Sequence, residues 1–516
     1  MTETAAAQAA WQRLDKRMLL VHPVREVVRY IPVLVVTVIV GTRSDNPVWG
    51  LVALAVIVGL ALTRWFTTTY RIGPENVELR RGLLQRRTLT VPRSRIRSVD
   101  VQADLLHRVL GLAVLAIGTG QQADREEGFH LDGVDARQVP ELRALLLSRE
   151  PEDVVVHDVT AEPGEQPRPD EGVEIAHWQP AWVRYAPLSL TGLAIVGSIV
   201  GLAFQYGVAE VVVDSRTVQG LGARGAVFLA VMVLVGIVTL LAITAVAACA
   251  HYLATYFGLR VLDDGATLHI RHGLFTTRQI TLDLARLRGA TVKEPLLLRL
   301  AGAAELEAIM TGTSPRQKIL PQAPRRAVDR TLARLLSIGP KPAPAESTPD
   351  TAGELDAAAP ALIELVPHGP RARRRRYTRA LGPVAAAAVA LLAVTIAGVG
   401  IPVWVWIVLA LFAIIAAAVA QDRYRGLGHA VLPAADSRPT WLITRNGSLD
   451  RDRDCLEAPG IIGWTVRQTY FQRRAGLATL IAATAAGKKR YHVVDVPMER
   501  AWELIETITP GQLGHR

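Results

Sequence analysis

Long apolar runs and stretches of alternating apolar and polar residues trade places three times along the chain. The apolar runs come in pairs, within 27–63, 185–250 and 381–420. Each pair reads as a transmembrane helical hairpin, since about 20 consecutive apolar residues already cross the hydrocarbon of a bilayer. The run 381–420 is too long for a single crossing, and Gly400-Ile401-Pro402 supplies its turn. In the first pair the runs 27–42 and 48–63 sit near the lower limit of roughly 17 residues, and Trp49 and Trp65 extend them as interfacial anchors. The second pair, 185–204 and 225–250, has the longest connection, and its Gly197 and Gly201 are spaced to let a neighbouring helix approach closely.

The alternating stretches after the hairpins, 64–149, 251–337 and 421–509, share a skeleton. Gly82, Val101, Arg108 and Gly111 stand at the same mutual spacing as Gly273, Val292, Arg299 and Gly302, and again as Gly447, Val466, Arg473 and Gly476. An internal repeat of this kind decides the reading of everything else. Around Gly82, Val77 and Leu79 followed by Leu84, Thr88 and Thr90 predict two strands joined at a glycine turn, with Pro92 limiting central pairing. Ile96, Val99 and Val101 predict another strand. A short apolar turn at 105–111 then closes on Gly111, which accepts positive φ without a Cβ clash. Each copy ends in apolar residues at three- and four-residue spacing, 139–147, 326–336 and 498–508, which predicts a terminal helix.

The turn Gly82-Leu83-Leu84, the run Val91-Pro92-Arg93-Ser94-Arg95-Ile96-Arg97-Ser98-Val99, and Arg108 with Gly111 carry a resemblance. The unit is similar to the bacterial pleckstrin-homology-like (PH-like) domain of the YdbS/YdbT membrane proteins, in which such domains follow pairs of transmembrane helices. The later copies diverge, with Asp283 at the Pro92 position and Gly460 at the Arg95 position. The resemblance implies an α+β membrane protein of three hairpins, six spans in all, each followed by a PH-like β-barrel or sheet domain with a C-terminal helix. It also implies a bacterial cell-membrane location, and it brings no catalytic residues.

Composition changes the picture in two ways. Half of the residues are hydrophobic across 516 positions, as expected for membrane insertion, and the net charge of +11 needs an explanation. Aromatics are only 5% and no nucleic-acid fingerprint is present, so a nucleic-acid partner is not expected. Arg25, Arg29, Arg64, Arg71, Arg184, Arg260, the 371–379 cluster and Arg423 all flank the repeat-bearing side of the hairpins. The positive-inside rule then places the repeats and both termini in the cytoplasm. No cleavage site marks the N-terminal run as a removable signal. The Pro- and acid-rich stretches 150–176 and 338–366 read as linkers. Cys249 and Cys455 form neither a disulfide framework nor a zinc set, and Cys455 falls in a charged loop.

Candidate chemistry is sparse. Gly487-Lys488-Lys489 lacks the rest of a phosphate loop, and no G-x-S-x-G turn is present. Asp450, Asp452 and Asp454 imitate the start of a calcium loop without its glycine and glutamate, which leaves a solvated hairpin loop. His269 and His272, three apart in a strand, point to opposite faces, so neither a metal nor another cofactor is expected. The spans hold a single ionisable residue, Arg29, which counts against a transporter. Among Arg80, Arg81, Arg86, Arg87, Arg93, Arg95 and Arg97, the residues Arg86, Arg87 and Arg93 are the candidate contacts to anionic lipid. The repeated Arg108, Arg299 and Arg473 point to a role in the fold, snorkelling or capping the short apolar turn. The expected function is a non-enzymatic membrane scaffold or envelope-associated binding protein. Its expected partners are the bilayer, anionic lipids, and a related small PH-domain membrane protein or a second copy of itself. A transporter or channel component is the alternative.

Overall fold

The computed structural model describes residues 11–21, 68–118, 129–146, 172–188, 222–337 and 364–511, apart from short stretches within these ranges such as 82–86. Most of the first hairpin and residues 189–221 of the second therefore lie outside the described residues.

Each repeat contributes six strands in two groups of three. The first supplies β1 (Thr69–Ile72), β2 (Asn76–Arg81) and β3 (Arg87–Pro92), then β4 (Ser98–Ala103), β5 (Leu112–Gly118) and β6 (Phe129–Asp135). The second supplies β7 (Arg260–Asp263), β8 (Thr267–His272), β9 (Thr277–Asp283), β10 (Leu287–Pro295), β11 (Ala303–Met310) and β12 (Gln317–Pro324). The third supplies β13 (Gly428–Leu432), β14 (Trp441–Gly447), β15 (Asp450–Glu457), β16 (Ile461–Arg467), β17 (Leu477–Thr484) and β18 (Arg490–Pro497). A one- to two-turn helix follows the fourth strand of each repeat: α1 (Leu105–Leu110), α3 (Leu296–Leu300) and α7 (Tyr470–Arg474). Terminal helices α4 (Arg325–Ser337) and α8 (Met498–Ile508) close the second and third repeats, with Val328, Leu332 and Leu335 of α4 and Ala501 and Ile505 of α8 fully buried. In the first repeat Val139, Leu142 and Leu146 join the core at the expected helical spacing.

The glycine skeleton has a backbone cause. Gly111, Gly302 and Gly476 adopt φ of 69°, 70° and 65° after the three short helices, the left-handed conformation that ends a helix cheaply only with glycine. Gly273 and Gly447 turn their hairpins at φ of 120° and 110°. Gly82 lies outside the described residues. Val101, Val292 and Val466 sit at matching places on β4, β10 and β16.

Sheet boundaries do not coincide with repeat boundaries. In one compact unit β1-β2-β3 form a sheet with the two-residue strand Gln12–Arg13, and a seven-stranded sheet runs β6-β5-β4-β9-β8-β7 before a last strand, Val173–His177. The last three strands of the first repeat thus continue into the first three of the second. In the other unit a sheet runs β12-β11-β10-β15-β14-β13, which joins the second repeat to the third in the same manner, and β16-β17-β18 form a separate sheet. Both junctions are antiparallel and in one register: Val101 faces Gln279, and Val292 faces Arg453. Among the described residues no ring of pairings closes within a repeat, so the strands form open sheets.

Among the described residues three helices are long and apolar enough to cross a membrane: 234–256 of α2 (Gly222–Tyr256), α5 (Gly369–Ile396) and α6 (Val403–Arg425). Helices α5 and α6 flank the Gly400-Ile401-Pro402 turn, whereas 185–188, read as the start of an apolar span, belongs to the 3-10 helix Pro180–Leu188. Val173–His177 is a strand, so the stretch 150–176 is not linker to its end. Asp450, Asp452 and Asp454 belong to β15 and not to a solvated loop. Asp454 is buried and accepts from Thr291 Oγ1 at 2.7 Å, and Asp452 accepts from Lys488 Nζ at 3.0 Å. Cys455 is likewise a buried strand residue, and burial pushes its thiol up to about 12.

Candidate functional site

The basic cluster before the third hairpin becomes a structured site. Helix α5 starts at Gly369-Pro370, with proline at a first-turn position where its missing N–H costs nothing. Its first turns carry Arg371, Arg374, Arg375 and Arg379 toward a cavity of about 1140 Å³. The opposite wall is α7, which presents Phe471, Arg473 and Arg474. A capping box fixes the start of α7: Thr469 Oγ1 accepts from the Gln472 amide at 3.4 Å, and Gln472 Oε1 accepts from the Thr469 amide at 3.0 Å. Gly476 ends it in the left-handed conformation that favours glycine, with Arg371 Nη1 3.0 Å from where a Cβ would stand.

One buried carboxylate holds the two walls together. Asp495, on β18, is fully buried at φ 60°, a conformation that Asp tolerates better than most residues. It accepts from Arg375 Nη1 at 2.5 Å and from Gln472 Nε2 at 2.8 Å, and Arg376 Nη2 stands 2.7 Å from its second oxygen as an ion pair. The remaining cavity arginines, Arg371, Arg374, Arg379, Arg473 and Arg474, make no ion pair with any carboxylate among the described residues. Guanidinium groups stay protonated at any physiological pH and present planar forks of donors. The cavity can therefore bind an oxyanion, while no residue of its wall offers a general base or a nucleophile activated by one.

A second cluster lies beside it. His368 Nε2 and His429 Nδ1 are 2.9 Å apart, and His368 Nδ1 is 2.8 Å from the Val494 carbonyl. Because that carbonyl accepts only, neutral His368 carries its proton on Nδ1, and His429 donates to its Nε2. Burial pushes both imidazoles down, His429 to about 4 with the neighbouring His368 contributing. Both nitrogens of His368 are committed, and among the described residues no group of three His, Cys, Asp or Glu is placed to hold a metal.

The residues singled out from the sequence fare unevenly. Arg86 lies outside the described residues. Arg87 is exposed at the start of β3 and Arg93 is half-buried just past its end. Six residues at about 3.3 Å each separate them by roughly 20 Å. Arg80, grouped with them in the sequence, instead stacks over Trp11 at 3.8 Å, a surface cation–π contact. His269 is bonded to Asp264 and Thr281 at 3.0 and 3.2 Å, whereas His272 reaches the Thr255 carbonyl at 2.7 Å, so the two do not converge.

Two of the three repeated arginines reach out of their own repeat. Arg108 Nη1 donates to the Leu274 carbonyl at 3.1 Å, and Arg299 Nη1 donates to the Ser448 carbonyl at 3.3 Å. Each acceptor follows the turn glycine of the next repeat, Gly273 or Gly447, so the arginine clasps its successor. Arg299 also bonds Asp422 at 3.1 Å, which Arg451 holds from another side at 3.0 Å. The short apolar turn legible around these arginines gave no sign that they reach across to another repeat.

A family model described as bacterial PH domain matches the chain three times, over 27–150, 192–337 and 380–512. No curated protein and no solved structure matches it.

Proposed function

The chain belongs to the bacterial PH domain family, and from that premise we propose that it is a non-enzymatic membrane scaffold carrying three PH-like modules on helical hairpins. The carrying observation is the third hairpin. Ile396, Val403, Ile407, Phe412 and Ile414 are each at least 60% exposed, with no protein surface over them among the described residues, and α5 runs from these apolar turns directly into the arginine-lined cavity. An apolar helical hairpin left bare on its outer faces is at home in lipid, and basic residues at the cytoplasmic end of a span favour anionic headgroups by about 1 kcal/mol each. In this reading the hairpins make six spans, the modules face the cytoplasm, and the cavity at the foot of α5 takes the phosphate of an anionic lipid. Between 380 and 420 neither α5 nor α6 carries an ionisable residue, which favours an anchor over a conducting or transporting path.

The test uses the full-length protein in nanodiscs. Phosphatidylglycerol should raise its thermal stability relative to phosphatidylcholine, and free inorganic phosphate at equal concentration should do so far less. The triple variant R371E/R374E/R379E should lose the difference. Equal stability in the two lipids would sink the lipid part of the proposal, and extraction of the unmodified protein by alkaline carbonate would sink the membrane part.

A further inference from the structure

The junctions between repeats follow a rule that the two ends of the chain leave unfinished. At the first junction the fourth strand of one repeat pairs with the third strand of the next, β4 with β9, and at the second β10 pairs with β15. The register is the same in both, Val101 to Gln279 and Val292 to Arg453. The corresponding strands still unused are β16 of the third repeat and β3 of the first. Each stands at the edge of its sheet, with no partner on that side among the described residues. An open edge is a row of unpaired backbone donors and acceptors that templates another strand.

Two further observations mark β16 as built for such a strand. At the second junction a Cβ added to Gly289 would lie 2.2 Å from the Cys455 carbonyl oxygen, so glycine is needed where the partner backbone comes close. The matching residue in β16 is Gly463, and there nothing lies within 4 Å. Neither glycine has positive φ, so the bulges beside them do not explain the residue. Glycine inside a strand costs stability and marks the close approach of another backbone. The second observation is the clasp: Arg108 and Arg299 each hold the turn of the following repeat, whereas the side chain of their counterpart Arg473 has no bonded partner among the described residues and borders the open cavity.

We propose that the chain associates head to tail with a second copy of itself, β16 of one copy pairing antiparallel with β3 of the next. The internal register transfers directly: Val466 faces Thr88, Trp464 faces Thr90, and Gly463 faces Val91. Pro92, which lacks an N–H, falls one residue beyond the ladder and does not block it. Such a contact uses different surfaces on the two partners, so it propagates into a ring or an open array. Arg467 faces Arg87 in this register, where the second junction sets Lys293 against Asp452. Like charges opposed across a ladder weaken it, so the association strengthens with salt.

The test pairs single cysteines in two differently tagged full-length chains co-expressed in a C249A background. Cys455 remains, since it is buried and its thiol is held protonated. Oxidation should give a mixed-tag dimer between T88C and V466C. The off-register pair T90C with V466C should fall to background, because Cα atoms more than 7 Å apart cannot be bridged. Adding R87D to the T88C chain should raise the yield severalfold at low salt by recreating the opposite-charge pair. Thr88 is exposed and Val466 half-exposed, so neither change threatens folding. Absence of the mixed dimer overturns the proposal. So does equal yield from the off-register pair, or a T88C/V466C chain that only closes on itself.

Discussion

Replacing Asp495 removes the one carboxylate that ties α5 to α7, and the size of the effect can be worked from its surroundings. The side chain is fully buried, and Arg375 and Arg376 are only 15% and 12% exposed, so neither guanidinium regains much water when its partner goes. Deleting one member of a buried ion pair costs about 3–5 kcal/mol, because the other charge is stranded. In Asp495→Ala a further penalty comes from φ 60°, which alanine adopts reluctantly. Asp495→Asn keeps a side chain suited to that backbone and retains an acceptor for Gln472, so only the charge is lost and the cost is smaller. The buried thiol of Cys455, in the same compact unit, reports the opening in a C249A background. Where reclosing outpaces labelling, 1.4 kcal/mol corresponds to tenfold, so Asp495→Ala should speed the reaction of Cys455 with a thiol reagent by roughly 100- to 4000-fold. Asp495→Asn should fall between Asp495→Ala and the unmodified chain. Labelling of Asp495→Ala at the unmodified rate would show that Asp495 does not hold this part of the fold together.

The histidine pair makes stability fall with acid. The folded values of His368 and His429 lie below the usual 6.5, so the unfolded chain binds more protons as pH drops, and for His429 each pH unit between 6.5 and 4 removes about 1.4 kcal/mol. Melting curves of the unmodified protein and of His429→Gln across that window should diverge, and parallel curves would count against the neutral pair. Arg299→Ala should destabilise the second junction by roughly 1.5–3 kcal/mol, read as faster labelling of Cys455, since a charged hydrogen bond to Asp422 is lost while Arg451 keeps that carboxylate paired. Single cysteines at Gly133, Gln317 and Gly487 should be shielded from an impermeant thiol reagent in intact cells, and labelling of any one would overturn the cytoplasmic placement of the repeats.

What the sequence made legible follows from which residues had no substitute. The turn and cap glycines showed themselves because positive φ excludes most other residues, and the third hairpin showed itself because its apolar runs exceed one crossing. The joining of sheets across repeats left no such mark. Backbone hydrogen bonds between β4 and β9 or β10 and β15 ask nothing particular of their side chains, and Gly289 is one residue among 41 glycines. Charge misled as well. Asp450, Asp452 and Asp454 looked solvated, yet Thr291 on a neighbouring strand holds Asp454 and Lys488 in the turn after β17 holds Asp452. The cavity drew on arginines from two segments far apart in sequence, and the carboxylate organising them, Asp495, sits in an ordinary-looking strand.

The offset between sheets and repeats has a consequence for biosynthesis. When the ribosome has finished β4, β5 and β6, their sheet still lacks its other half, which begins only after a second pair of apolar runs has been translated. At about 5–20 residues per second, the roughly 170 residues between Ala103 and Thr277 keep the edge of β4 waiting about 10–30 s. The order of events is fixed in the same way at the second junction. Completion of each sheet is thus timed by translation of the apolar segments between its halves, and a stall there exposes a strand edge to whatever else is being made nearby.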